Sequence, residues 1–256
     1  MPAHAGVTDR TVATVPYIEG VSTNSENTLP EWAQELIVFD TETTGIAHET
    51  TRIVTANVSR IDASGDVIET RDWLINPGIE IPAQATAVHG VTTEQARAHG
   101  SDAPTSIADI IETLRAYLDT GIPVVAYNAA YDFTILDREA KRYGVEPLLD
   151  PAPIVDPLIL DKKVDRYRKG KRSLEVNSEH YGVTLTDAHT AAADAIAAGR
   201  VAQAIALKFS TELNMSAMDL HNNQVLWAAE QAASFAEFLR RQGKQPYPGD
   251  GLWPVR

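Results

Sequence analysis

An apolar run from Leu36 to Phe39 ends in Asp40-Thr41-Glu42-Thr43-Thr44-Gly45. Val38 and Phe39 favour a strand, and strand side chains alternate faces, so Asp40 and Glu42 point the same way. Adjacent carboxylates repel and favour protonation, a cost that a divalent cation between them relieves. Hard oxygen donors suit Mg²⁺ or Mn²⁺. Taken alone, the pair reads more plainly as two acids at a solvated strand end; two further acidic motifs reverse that preference.

The first is Val124-Val125-Ala126-Tyr127-Asn128-Ala129-Ala130-Tyr131-Asp132-Phe133. A β-branched run breaks at Asn128 and a helical pattern follows. Asp132 therefore sits near a helix start just past a strand, where open α/β sheets place their sites. A helix-start acid favoured by the macrodipole is the plainer alternative. The second is His189-Thr190-Ala191-Ala192-Ala193-Asp194-Ala195, which opens an alanine-rich helix. A spacing of five is not one helical face, so His189 is expected at or before the first turn. The small residues between let that helix approach a sheet closely.

Asp40, Glu42, Asp132, His189 and Asp194 follow in a fixed order, each at an expected element boundary. The set resembles the DEDDh branch of the DEDD 3′→5′ exonuclease family. It looks most like the proofreading epsilon subunits of bacterial DNA polymerase III and their stand-alone relatives. The motifs match Asp-x-Glu-Thr-Thr-Gly at Asp40, Asn-x-x-aromatic-Asp at Asn128, and His-x-Ala-x-x-Asp-Ala at His189. Val88-His89-Gly90-Val91-Thr92 resembles a further family segment. The resemblance covers residues 35–209.

That resemblance implies two divalent metals, Mg²⁺ or Mn²⁺, held by Asp40, Glu42, Asp132 and Asp194, with Asp40 bridging. It implies His189 as general base, a role its ordinary pKa near ~6.5 suits. Thr43, Thr44 and Gly45 would present backbone to the terminal nucleotide. His89 and Phe133 would pack on bases or sugars, and Asn128 would orient Asp132 or hold phosphate. The expected reaction removes nucleoside 5′-monophosphates from the 3′ end of single-stranded nucleic acid, DNA ahead of RNA. The expected partner is a polymerase or another replication or repair protein. An RNA-trimming enzyme and a non-catalytic docking subunit are the alternatives.

Composition sets limits. The chain of 256 residues has room for one domain with extensions. It has no cysteine, which excludes disulfides and thiolate metal sites and fits a reducing cytoplasm. No apolar run approaches the ~20 residues that span a bilayer, and the N-terminus lacks a signal-peptide pattern. The net charge of −13 argues against non-specific duplex binding. Yet between Lys162 and Arg172 there are seven Lys/Arg against one acid, Asp165. That segment reads either as a solvated loop or, slightly preferred, as a phosphate contact through residues such as Lys171 and Arg172.

Residues 1–34 read as a loose extension, 35–209 as the exonuclease domain, and 210–256 as a C-terminal helix with an irregular tail. Strands are expected near 36–41, 52–61, 67–75, 123–127 and 153–156. Helices are expected at 104–118, 131–143, 157–164, 173–181, 189–208 and 216–241, with short ones in 82–100. The fold class is α/β: a ribonuclease H-like mixed five-stranded sheet flanked by helices, with a C-terminal helical extension. The stripe Met218, Val225, Trp227, Ala232, Phe235 and Leu239 reads as self-packing, and Trp253 as a residue able to dock in a groove. Asp187 reads as a loop acid. His4, His48, His99, His180 and His221 receive no role.

Overall fold

A computed structural model describes residues 28–185, 188–246 and 251–256. Most of the N-terminal extension, Asp187 and part of the tail lie outside the described residues. The strands are β1 (Leu36–Thr43), β2 (Ile53–Ile61), β3 (Val67–Asn76), β4 (Ser101–Asp102), β5 (Val124–Val125) and β6 (Ile154–Val155). The helices are α1 (Ala83–His89), α2 (Thr93–His99), α3 (Ala103–Leu118), α4 (Ala130–Tyr143), α5 (Pro157–Val164), α6 (Leu174–Tyr181), α7 (Ala191–Lys208) and α8 (Ala217–Arg241).

The sheet runs β4-β3-β2-β1-β5-β6. β1, β2 and β3 are an antiparallel meander, and β5 and β6 add in parallel to β1. The sheet has six strands where five were expected. The extra one, Ser101–Asp102, extends β3 in parallel over two residues. Asp102 also caps α3 by accepting from Thr105 N–H, so the polar pair reads as a helix start and carries no strand pattern.

β1 divides the core. Ile37 and Phe39 face one layer, with α3 and α4; Leu36 and Val38 face the other, with α7. Both layers pack on apolar side chains because the strand is apolar on both faces, as expected of a central strand. α7 lies across β1 and β2, and Gly199 sets how near it comes. A Cβ there would stand 2.4 Å from Val38 Cγ1 and 2.6 Å from Ile61 Cδ1. The alanines around it remain as helix formers that bury against the sheet.

Two segments differ from the sequence expectation. Residues 28–34 are packed: Trp32 is buried and donates its indole N–H to Leu213 O at 3.0 Å. The long helix α8 buries only part of the apolar stripe: Leu239 is buried and Trp227 packs against the core, while Met218, Val225 and Phe235 are exposed. Leu220, His221 and Gln224, outside the stripe, also face inward.

The reason is the sheet edge. Beyond β5, β6 offers a row of backbone groups that would otherwise be unpaired. Gln224 accepts from Asp156 N–H at 2.7 Å and donates to Ile154 O at 3.0 Å, so its amide acts as one peptide unit of a missing strand. His221 Nδ1 accepts from Ile154 N–H at 3.1 Å. Trp253 packs against His221, with tilted rings whose centroids lie 5.1 Å apart, and covers this corner.

Gln224→Leu keeps the volume but orphans a buried donor and a buried acceptor. Each costs about 1–3 kcal/mol, so global stability should fall by about 2–5 kcal/mol in urea unfolding. A loss below about 1 kcal/mol would show that water replaces the amide at this edge.

Candidate active site

The alternation that splits the core also distributes the acids. Asp40 and Glu42 share the face of Leu36 and Val38, on which α7 packs. Asp194, in the first turn of α7, joins them there. Carboxylate oxygens of Asp40, Glu42 and Asp194 all lie within 4.8 Å of one another. Thr41 and Thr43 occupy the opposite face, toward α4. Asp132, in the first turn of α4, therefore meets Thr41: its Oδ1 accepts from Thr41 N–H at 3.1 Å and Thr41 Oγ1 at 2.7 Å. Asp132 lies outside the group of three but is close enough to raise the pKa of Asp40 and Glu42.

The acids are held in a costly state. Burial, then Asp132, Glu42 and Asp194, hold Asp40 well above the usual carboxylate range. Burial and the charges of Asp194 and Asp132 push Glu42 up to about 7. Burial pushes Asp132 up to about 7 despite its Thr41 hydrogen bonds. Asp194 is also raised by burial, against the His189 N–H and ring. Among the described residues, no Lys or Arg forms an ion pair with any of the four. Oxygen donors, converging and short of positive charge, fit a hard divalent cation.

A second layer positions these groups. Asp156 follows β6 and is buried. Its carboxylate accepts from Asn128 N–H at 3.0 Å, Ala129 N–H at 2.9 Å and Leu158 N–H at 2.9 Å. It thereby ties the turn before α4 to the start of α5. Asn128 there has φ 62°, a left-handed conformation that asparagine tolerates better than most residues. Tyr131 OH lies 2.6 Å from Thr43 Oγ1 and donates to Gly45 O at 2.6 Å. Burial pushes its phenol up to about 12. Neither Asp156 nor Tyr131 stood out as a site residue in the sequence. The aromatic of the Asn128 motif pointed only indirectly to Tyr131.

His189 precedes α7, outside its first turn, with φ 71° and an exposed side chain. Its N–H donates to Asp194 Oδ1 at 3.4 Å, and its Nε2 stands 3.5 Å from Glu175 Oε1. Glu175 lies on α6, whose start is capped by Ser173. His89, at the end of α1, is half-buried beside the Thr43 backbone. Burial lowers its pKa, and the Thr43 and His89 backbones partly offset that. Its Nδ1 accepts from Val91 N–H at 3.2 Å.

Other expected substrate contacts are not where the motif suggests. Phe133 is buried and meets Phe39 edge-on at 5.6 Å, so its ring faces the core and no base. Thr44 N–H donates to Arg52 O at 2.9 Å and Thr44 Oγ1 accepts from Arg52 N–H at 3.0 Å, so the Thr44 N–H is already used. Arg172 is turned inward. It donates to Asp161 Oδ2 at 2.5 Å, Asp165 O at 2.6 Å and Arg168 O at 2.9 Å. Arg168 and Tyr181 bind the same Asp161 at 2.8 and 2.7 Å. Burial raises the Asp161 pKa, but these donors outweigh it and the net shift is downward. Lys162, Lys163, Arg166, Lys169 and Lys171 remain exposed.

The RNase_T exonuclease family model matches residues 37–202. The chain is 25% identical over 195 residues to DNA polymerase III PolC-type from Clostridium perfringens, covering 75% of this chain and 12% of that protein. It is 33% identical over 168 residues to a DNA polymerase III subunit epsilon-like protein from Rhodobacter capsulatus, covering 63% of this chain and 22% of that one. It thus spans a minor part of either relative. E. coli exonuclease I, solved with a dA16 oligonucleotide, matches with a TM-score of 0.59 at 19% identity, over 70% of this chain and 42% of that one. That likeness bears on the fold, whose ribonuclease H-like mixed sheet it shares. Among the described residues, no helix is long and apolar enough to cross a membrane. With the family model covering the sheet and all four acids, the chain belongs to the RNase_T exonuclease family.

Proposed function

We propose that this protein is a metal-dependent 3′→5′ exonuclease that trims single-stranded nucleic acid, DNA in preference to RNA, and releases nucleoside 5′-monophosphates. The observation that carries this reading is the convergence of Asp40, Glu42 and Asp194 within 4.8 Å. The polymerase III names of its relatives support a polymerase partner and the exonuclease I bound to a dA16 oligonucleotide supports DNA, while a chain without cysteine fits a cytoplasmic site of action.

Two divalent cations, Mg²⁺ or Mn²⁺, would supply Lewis acidity and offset the charge that builds on the leaving 3′ oxygen. Asp40, Glu42 and Asp194 would hold them directly. Asp132, fixed by Thr41, completes the acidic set from the α4 side. His189 takes the proton of the attacking water on its ring, and Glu175, 3.5 Å away, faces the charge the ring then carries. Gly45 and His89 flank the end of β1 and line the approach of the terminal nucleotide, with Asn128 at the α4 side.

Activity should vanish in excess chelator and return with Mg²⁺ or Mn²⁺, but not with Ca²⁺. Asp40→Asn should lower turnover by several orders of magnitude while keeping the fold. Near-normal turnover of either the metal-free protein or this variant, assayed by release of 5′-monophosphate, would sink the reading.

Glu42 gives a test independent of turnover. Its folded pKa of about 7 lies above the ordinary value of 4.5. The ionised form therefore destabilises the metal-free fold at pH above about 7, and that penalty fades as pH falls toward 4.5. Glu42→Gln should melt higher than wild type at pH 8 in chelator, and the advantage should disappear near pH 4.5. An advantage that persists at low pH would mean that volume, and not charge, sets it.

His189→Ala should lower turnover by about 10²- to 10⁴-fold. Metal affinity, read by calorimetry, should stay near wild type because His189 is no ligand here. Parallel loss of both would recast His189 as a ligand.

A further inference from the structure

α8 lies beyond the residues that the family model covers. Its C-terminal half nevertheless forms one wall of a continuous cleft that begins beside Asn128. A cavity of about 270 Å³ reaches from Asn128 and Ala130 past Lys162 to Phe235. A wider cleft of about 650 Å³ continues from Lys162 and Phe235 to Arg166 and Phe238. The two share Lys162, Gln231 and Phe235, so the groove runs unbroken from the turn that precedes Asp132.

Cations and aromatic rings alternate along it. Phe235 and Phe238 are 53% and 54% exposed, one helical turn apart, with rings stacked at 6.3 Å and 19°. Lys163 Nζ sits 5.0 Å above the Trp227 ring, and Arg166 lies 5.9 Å from the 88%-exposed Tyr167. Glu230, the one acid among the residues lining the wider cleft, pairs with Lys163 at 4.0 Å and leaves Lys162 and Arg166 as the unopposed cations there. In a chain of net charge −13, this concentration of Lys162, Lys163 and Arg166 selects a polyanion. Large rings left half in water, beside cations, suit unpaired bases: every base has a face to stack, and each phosphate needs one cation.

We propose that the α5–α8 groove is a strand-tracking site for single-stranded nucleic acid, in which Phe235 and Phe238 stack bases and Lys162, Lys163 and Arg166 hold phosphates. It would grip nucleotides upstream of the 3′ end and so set affinity for long substrates. The proposal rests on the exonuclease reading for its substrate, and its test is separable from that reading.

Binding is measured by fluorescence anisotropy in chelator with an oligonucleotide of about 16 nucleotides. Hydrolysis of a dinucleotide, which has no upstream nucleotides to lay along Phe235 and Phe238, is measured separately with Mg²⁺. Stacking is worth ~1–3 kcal/mol per base, so Phe235→Ala/Phe238→Ala should weaken oligonucleotide binding by about 10- to 100-fold. Dinucleotide turnover should stay at the wild-type rate. Phe235→Leu/Phe238→Leu keeps apolar surface without a ring face and should lose affinity similarly. Wild-type affinity in the alanine variant, or recovery with leucine, would overturn the proposal and return these rings to a protein-docking face. An equal loss on the dinucleotide would overturn it too. A wild-type protein that binds the oligonucleotide but cleaves neither substrate would sink the exonuclease reading and leave the groove standing.

Discussion

Repulsion between buried carboxylates is the constraint that the rest of the molecule answers. Asp40, Glu42 and Asp194 would drift apart or bind protons if their backbones were free to move. Each is therefore anchored where movement is expensive. Asp40 and Glu42 stand on a strand buried on both faces. Asp194 stands on a helix pressed so close to that strand that only glycine fits at position 199. Asp132 is held by two donors from a single residue, Thr41. Protein interiors yield little to such forces because packed elements resist sub-ångström shifts. The fold thus stores a preference for positive charge at one point, which pre-organises binding at the expense of stability in the empty site.

The C-terminal helix belongs to this arrangement. Gln224 and His221 complete the exposed edge of β6, and the same edge leads directly into Asp156. Asp156 in turn fixes the Asn128–Ala129 turn from which α4 carries Asp132 inward. A chain of hydrogen bonds therefore links α8 to the acidic site. Phe235 and Phe238 lie within about 40° of Gln224 around the helix, so the face that protects the edge near its start carries the exposed aromatic pair further along.

The sequence displayed the acids and their order because their chemistry admits few substitutes. It displayed most elements because periodicity, caps and glycine stops agree: Ser173, Thr92 with Gln95, Ser216 and Gly144 all act where expected. What it hid depended on distant partners. β4 is two residues long and polar, and only pairing with β3 makes it a strand. Phe133 follows Asp132 in the motif, but one step along a helix turns a side chain by about 100°, here into the core. Part of the buried face of α8 was hidden because hydrogen bonds to an edge strand draw Gln224 and His221 inward beside Trp227 and Leu239 of the apolar stripe. Trp32 gave no signal of its contact with Leu213, which lies 181 residues away.

The basic segment shows why a charge count cannot assign a role. Arg168 and Arg172 neutralise Asp161, which Tyr181 also binds. Arginine suits this task because its planar fork donates in several directions at once, and Arg172 also secures three backbone carbonyls. The flexible lysines and Arg166 stay outside. The inward arginines stiffen the loop between α5 and α6, and so fix both the lysine wall of the groove and the start of α6 with Glu175. Neutralising the segment as a block would therefore mix two effects, collapse of the Asp161 cluster and loss of surface charge. Only substitutions confined to the exposed lysines and Arg166 report on the polyanion itself.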